Sequence, residues 1–223
     1  MGALYLLYFI IGLPFETIRD IDEIADFIME VREKMNSLGN INGYLEIGIN
    51  MLYPKPWTPF QYACTILPNE AEERLQYLIS KLSKGGYKVV VSTDVVDEKV
   101  ERRKESVYKN LIKIETTIGT PVSFYQPIIS RGGVEISEVI ERVYMQGENT
   151  FESWKRALEE SGIDYKKYFS SYIDYEKLLW EIQDCIISKE YLKKEYLNAL
   201  AFKPTSECSA DCKNCKDRCL GGI

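Results

Sequence analysis

The most restrictive feature of the sequence is a cluster of prolines at Pro54, Pro56 and Pro59. Proline fixes φ, has no amide donor and pushes the preceding residue toward an extended conformation. A segment with such a cluster is therefore neither a helix nor a central strand. It predicts a stiff, extended connector over residues 50–61, which leaves a neighbouring regular element.

The element before this connector has the alternation of a β-strand over residues 44–51. Its apolar face carries Leu45, Ile47, Ile49 and Met51. Its other face carries Glu46, Gly48 and Asn50. Two interpretations stay open: this strand and its rigid loop form the wall of a site, or they are an ordinary half-exposed strand and a surface loop.

Composition excludes several classes of function. The chain has 223 residues, 45% of them hydrophobic, so it can build a core, and its net charge of −6 indicates no broad nucleic-acid footprint. It contains no histidine. His-based general bases, Ser-His or Cys-His nucleophile pairs and His-containing metal sites are therefore excluded.

The first apolar run, residues 4–13, predicts a buried strand. It is too short to span a bilayer, which needs roughly 20 residues, and it lacks the basic region and cleavage site of a signal peptide. A cytoplasmic protein with no membrane contact is expected. A continuous apolar run of this kind is typical of a parallel strand buried on both faces.

The next elements complete a β-α-β unit. Gly12 and Pro14 end the first strand, and Thr17 with Asp20 predicts a helix N-terminus, followed by a helix to about Ser37. Ligands bind at the carboxyl ends of strands in such units. Residues 12–16 and 50–61 follow those ends, so they form the first candidate site.

The rest of the chain alternates at first and then becomes helical. The patterns predict a helix over 70–84, a strand over 87–92, a helix over 97–117 and a strand over 121–126. They then predict a loop at 130–133 and helices over 134–146, 151–161 and 178–200.

The tail carries four cysteines in the spacing C-x3-C-x2-C-x3-C, namely Cys208, Cys212, Cys215 and Cys219. Four thiols this close together can surround one soft metal centre. Disulfides are the alternative, but they are typical of secreted chains. Zinc and an iron–sulfur cluster both stay open, and the compact spacing favours iron–sulfur.

Several segments carry a resemblance to a known family. Residues 4–17 resemble the late strand and turn of radical S-adenosylmethionine (SAM) enzymes. Residues 54–61 resemble a group within that family, the cobalamin-binding-domain-containing radical SAM proteins. Further similarities follow in the order of that group, at 130–132, 147–154, 161–164, 179–180 and in the four-cysteine tail.

The resemblance implies a fold, cofactors and site residues. It implies a partial (βα)6 barrel, a [4Fe-4S] cluster and reductive cleavage of SAM to a 5′-deoxyadenosyl radical. The implied cofactor-binding residues are Gly12, Pro14 and Glu16 at the adenosyl pocket, with Glu46 and Asn50 facing the barrel interior. The implied substrate-facing residues are Lys55, Thr58, Gln61 and Arg131.

The sequence also departs from the family. The cluster-binding C-x3-C-x2-C loop of the family follows the first barrel strand, whereas no cysteine precedes Cys64 here. We therefore expect an α/β protein that is the carboxyl half of the barrel. Its predicted parts are 1–126 as half-barrel, 127–205 as a helical extension and 206–223 as a metal-binding tail.

Two functions follow from this expectation. The first is the adenosyl-facing and substrate-facing part of a radical SAM enzyme, completed by an amino-terminal half or a second copy of the chain, and inactive alone. The second is a non-catalytic metal-binding or interaction protein that retains the half-barrel. The substrate is not predicted.

Overall fold

The computed structural model describes most of the chain, in two units. The described residues are 5–39, 43, 45–93, 109–173, 176–182, 185–205 and 207. The first unit takes its described residues from 1–52 and 66–124, and the second takes them from 53–65 and 125–223. The proline-rich connector therefore belongs to the second unit, while the strands before and after it belong to the first.

The first unit contains a parallel sheet, so the α/β class is confirmed. Its strands are β1 (Tyr5–Ile11), β2 (Leu45–Met51), β3 (Lys88–Ser92) and β4 (Leu111–Glu115). Among the described residues they are ordered β1-β2-β4-β3, and every pair is parallel. In the register, Ile47 of β2 lies between Leu7 of β1 and Ile114 of β4.

Two helices of this unit bury apolar stripes. Helix α1 (Ile18–Ser37) begins where predicted, because the Asp20 carboxylate accepts hydrogen bonds from the Thr17 amide at 2.6 Å and the Thr17 hydroxyl at 2.7 Å. Helix α2 (Pro68–Lys84) begins on a proline, whose fixed φ suits the first helical turn. The buried stripes are Ile21, Ala25, Ile28 and Met35 in α1, and Ala71, Leu75, Leu78 and Leu82 in α2.

The two faces of the sheet differ sharply. On one face, Ile47, Ile49, Ile112 and Ile114 are fully buried. On the other face, Tyr8 is 75% exposed and Ile10 is 50% exposed. The prediction that β1 is buried on both faces is therefore wrong, because β1 lies at the edge of the sheet formed by the described strands and one of its faces carries exposed side chains. We call this second face the open face; its residues include Leu6, Tyr8, Ile10, Glu46, Gly48, Asn50, Val90, Lys113 and Glu115.

Two predicted elements change type in the structure. Residues 111–115, predicted as the end of a helix over 97–117, form β4, and the predicted residues 97–108 lie outside the described residues. Residues 121–126, predicted as a strand, begin helix α3 (Pro121–Arg131). Here Pro121 occupies the first turn of a helix instead of starting a strand.

The second unit is helical. It contains the end of α3, the helices α4 (Ile136–Gln146), α5 (Phe151–Glu160) and α6 (Lys189–Leu200), and 3₁₀ turns at Pro59–Tyr62, Tyr165–Phe169 and Leu179–Ile182. Gly147 ends α4 with a φ of 73°, as predicted. Within the part of the chain that the structure describes, no helix combines the length and the apolar character that crossing a membrane requires.

Candidate functional site

The turn after β1 is held by one carboxylate. Gly12 has a φ of 79°, and its amide donates to both carboxylate oxygens of Glu16, each at 2.9 Å. Arg74 of α2 forms an ion pair with the same carboxylate. The Glu16 side chain is only 4% exposed. Of the residues predicted at an adenosyl pocket, Glu16 therefore braces the turn, Gly12 shapes it, and Pro14 lies partly exposed between them.

A charged cluster lies on the open face. The Lys113 ammonium lies 2.8 Å from a Glu115 carboxylate oxygen and 3.6 Å from one of Glu46. The parallel register places Glu46 directly beside Lys113, and Gly48 beside Glu115. The prediction that Glu46 lies on the face opposite the apolar residues of β2 is confirmed.

The pKa values of the three charged groups in this cluster are shifted in different directions. Burial raises the pKa of Glu46, and its hydrogen bond with Glu115 raises it further. The hydrogen bond from Lys113 lowers the pKa of Glu115, and the same hydrogen bond raises the pKa of Lys113. Of the two carboxylates, Glu46 is consequently the first to take up a proton as the pH falls, while Lys113 stays protonated. The cluster offers both hydrogen-bond donors and acceptors on the open face.

Asn50 lies at the carboxyl end of the same face. Its side-chain oxygen accepts hydrogen bonds from the Thr117 amide at 3.0 Å and from the Thr117 hydroxyl at 2.7 Å. These bonds tie the end of β2 to the loop after β4. Gly12 follows β1, Asn50 lies near the end of β2, and Thr117 follows β4. All three therefore lie at the carboxyl ends of parallel strands, where such sheets bind ligands.

Lys113, Glu115 and Thr117 were not predicted as site residues, because residues 97–117 were assigned to a helix. A signal for them exists in the sequence. Ile112 and Ile114 alternate with Lys113 and Glu115, which is the period of a half-buried strand. The helical spacing of Leu111 and Ile114 obscured this alternation.

The predicted substrate-facing Arg131 lies in the interior of the second unit. Its Nη1 donates to the carbonyls of Tyr168 at 2.8 Å and Ser170 at 3.0 Å. Its Nη2 donates to the carbonyls of Gln61 at 3.0 Å and Ala63 at 2.7 Å. The side chain is fully buried. Arg131 therefore joins two loops of this unit and does not face a substrate.

Gln61 is also buried, whereas Lys55 and Thr58 are accessible. The Gln61 side-chain oxygen accepts from the Trp57 amide at 2.9 Å and from the Trp180 indole at 2.8 Å. Thr58 donates its hydroxyl to the Lys55 carbonyl at 2.8 Å. Of the four residues predicted to face a substrate, the structure leaves only the Lys55 and Thr58 side chains in reach of a ligand.

The predicted metal ligands Cys208, Cys212, Cys215 and Cys219 lie outside the described residues. Within the residues that the structure does describe, no group of three or more Cys, Asp or Glu side chains is arranged to hold a metal ion. The four-cysteine site therefore stays a prediction from the sequence.

Comparisons with known proteins add one similarity. An uncharacterized protein of Methanocaldococcus jannaschii is 30% identical to the chain over 83 residues, which are 37% of this chain and 17% of that protein. The chain thus spans less than a fifth of that relative's length. No family model matches the chain, and no solved structure matches it.

Proposed function

We propose that the first unit forms part of the barrel wall of a radical SAM enzyme, as the resemblance of residues 4–17 and 54–61 implies. The observation that carries the proposal is the open face. Parallel sheets normally have apolar packing on both faces, whereas this face carries the largely buried polar side chains of Glu46 and Lys113 beside the exposed Tyr8. Such a face suits the polar interior of a barrel better than a protein core.

The turn after β1 fits an adenosyl pocket in part. The hydrogen bonds between the Gly12 amide and the Glu16 carboxylate fix its backbone. The peptide groups near Pro14 therefore lie at the carboxyl ends of the strands. Glu16 itself is engaged with Arg74 and the Gly12 amide, so in this proposal it positions the turn and does not bind the ligand. Bound SAM would supply the adenosyl radical, and these residues would orient its adenosyl group.

The remaining barrel strands, and the loop with three cluster-binding thiolates, would come from further polypeptide. The edge strand β1 has a side on which no described strand pairs, and it carries the exposed Leu6, Tyr8 and Ile10. An apolar edge of this kind favours the addition of another strand. An amino-terminal half, or a second copy of the chain, would provide it.

We expect the chain alone to produce no 5′-deoxyadenosine catalytically. Electron transfer to SAM needs a cluster with an open iron site, and no cysteine precedes Cys64 to hold one at the barrel mouth. Anaerobically reconstituted, reduced protein is incubated with SAM, and 5′-deoxyadenosine is quantified by chromatography. Less than one product molecule per chain is expected, and repeated turnovers would contradict the prediction.

Hydrogen exchange tests the adenosyl pocket directly. S-Adenosylhomocysteine, which has the adenosyl group but cannot be cleaved to the radical, is added at millimolar concentration. Slower exchange is expected in peptides that cover 12–16 and 50–52, with S-guanosylhomocysteine as the control ligand. Unchanged exchange at both segments would exclude the adenosyl role of this edge.

A second function is a non-catalytic metal-binding or interaction protein that retains the scaffold. One observation favours it: Glu16, implied at the adenosyl pocket, already has its charge balanced by Arg74. Under this alternative the four-cysteine tail is the functional site. A protein that binds metal and shows no response to the adenosyl ligand would support it.

The tail cysteines are expected to bind one metal centre in either case. Cys212→Ser removes one of four thiolates and should release the metal, because binding energy and local order are coupled in so short a segment. Metal content per chain and a charge-transfer absorption band for iron are the measurements, on protein purified without oxygen. Cys64→Ser is the control and should keep the metal. One zinc per chain would replace the iron–sulfur assignment, and a metal-free wild-type protein would remove the site.

A further inference from the structure

The second unit contains a cavity that the proposed function does not use. Its volume is about 510 Å³, within the usual range for small-molecule sites. Trp180, Leu179 and Val134 provide apolar lining, and Ser130 and Glu135 provide polar lining. We call it the Trp180 cavity.

One wall of the Trp180 cavity is a fixed aromatic plane. The Trp180 indole stacks on Tyr172 with ring centroids 5.9 Å apart and an angle of 13° between the rings. The Arg131 guanidinium lies 4.0 Å from the centroid of the Tyr172 ring. The Trp180 indole also donates to Gln61 at 2.8 Å. A ring held in this way loses little conformational freedom when a ligand stacks on it.

Two hydrogen-bond donors converge at the Ser130 hydroxyl, which is itself a third donor. The Lys55 ammonium lies 3.4 Å from the Ser130 hydroxyl oxygen, and the Gln126 amide nitrogen lies 3.5 Å from the same atom. Both distances are long for hydrogen bonds, so these donors lose little by turning to a ligand. An oxyanion beside Ser130 would accept from all three groups.

The Lys55 charge is not balanced by a neighbouring carboxylate. Among the residues that the structure describes, no carboxylate oxygen lies within 4.0 Å of its ammonium. Desolvation lowers the pKa of Lys55, although its side chain as a whole is exposed. A bound anion would supply the missing opposite charge.

Glu135 limits how much negative charge the cavity accepts. Its carboxylate accepts from the Tyr168 hydroxyl at 2.9 Å and from the Gly133 amide at 3.2 Å. Burial acts to raise the pKa of Glu135, but these hydrogen bonds and Lys167 outweigh it and the pKa is lowered. Glu135 is therefore ionised at neutral pH, and it disfavours a doubly charged ligand over a singly charged one.

We propose that the Trp180 cavity binds an aromatic monocarboxylate, with its ring on Trp180 and its carboxylate at Ser130, where Lys55 and Gln126 reach it from just outside the lining. The cavity lies wholly within the second unit, so this site does not depend on the barrel wall proposed for the first unit.

The experiment titrates the full chain with indole-3-acetate and measures heat by calorimetry. Tryptamine has the same ring with a cation, and acetate has the anion without the ring, so both are expected to bind at least about tenfold more weakly. Phenyl phosphate tests the preference for a single charge and is expected to bind more weakly than indole-3-acetate. Tryptamine binding as tightly as indole-3-acetate would overturn the proposal.

Two variants locate the binding. Lys55→Met should weaken indole-3-acetate binding about tenfold by removing the ammonium, and Trp180→Leu should weaken it through the loss of stacking. Lys194→Met alters an exposed lysine on α6 and should leave the affinity unchanged. Lys55 is on the surface, so Lys55→Met is expected to fold. It therefore tests the site even if Trp180→Leu does not fold. Equal affinity of wild type and Lys55→Met would refute the site.

Discussion

Arg131→Met is expected to destabilise the second unit by about 4 kcal/mol, which is a large share of the 5–15 kcal/mol that keeps a typical domain folded. The substitution removes donors from four carbonyls, those of Gln61, Ala63, Tyr168 and Ser170. Methionine fills much of the volume but donates no hydrogen bond, so the buried carbonyls of Gln61, Ala63 and Tyr168 lose this donor. Urea denaturation followed by circular dichroism measures the loss of stability.

Arg142→Met is the matched control. Arg142 is also held by oxygen acceptors, the carboxylates of Glu138 and Glu160, but all three side chains lie at the surface. Its loss is expected to shift the melting temperature by less than about 2 °C. Since the two units need not unfold together, hydrogen exchange in peptides covering 59–63 and 165–170 assigns the effect to the loops that Arg131 joins. Equal stability of the two variants would show that the buried guanidinium is dispensable.

Gly12→Ala is expected to destabilise the first unit by about 3 kcal/mol, through two separate costs. A residue other than glycine is strained at a φ of 79°. In addition, a Cβ at this position would lie 2.7 Å from a side-chain carbon of Ile66. Thermal unfolding monitored by circular dichroism gives the stability, and exchange in residues 5–16 reports whether the turn after β1 has moved.

Gly39→Ala separates the two costs. Gly39 has nearly the same φ, 77°, but a Cβ there would meet no atom within 4 Å. This variant should therefore show only the conformational cost, about 1 kcal/mol. If both alanine variants lose the same stability, the contact with Ile66 contributes nothing. The close packing of Ile66 against Gly12 is then not what fixes the turn after β1.

The sequence allowed the first β-α-β unit to be predicted because its signals agree with one another. The alternation of β2, the cap of α1 at Thr17 and the apolar stripe of α1 all point to the same structure, and all are confirmed. Helices α4 and α5 were predicted for the same reason, since Gly147 ends α4 with a positive φ. Of residues 178–200, predicted as helical, Leu179–Ile182 form a 3₁₀ turn and only Lys189–Leu200 form an α-helix.

The secondary structure was predicted wrongly where helical and strand periodicities compete, or where tertiary contacts determine the conformation. Leu111 and Ile114 have helical spacing, yet pairing with β2 and β3 selects a strand. Pro121 reads as the start of a strand, but a proline suits the first turn of α3 equally well. Burial of both faces of β1 was inferred from its composition, which does not reveal that β1 is an edge strand.

The candidate sites were predictable only where a side chain stays on a surface. Glu46 and Asn50 could be placed on one face from alternation alone. No local pattern reveals that Arg131 and Gln61 are internal hydrogen-bonding residues. Arg131 donates to carbonyls distant in the sequence, and the Gln61 side-chain oxygen accepts from the equally distant Trp180 indole. The Trp180 cavity likewise brings together residues 129–135 and 179–182, which only the folded chain makes neighbours.

The strand order has a consequence for synthesis on the ribosome. β3 is made before β4, yet among the described strands it pairs only with β4, and β2 also needs β4 on its second side. At about 5–20 residues per second, translation from the end of β3 to the end of β4 takes roughly 1–5 s. Throughout that interval the nascent chain has a β2 with one unpaired edge and a β3 without its partner strand. This is therefore the period in which a chaperone that prevents aggregation would be needed most.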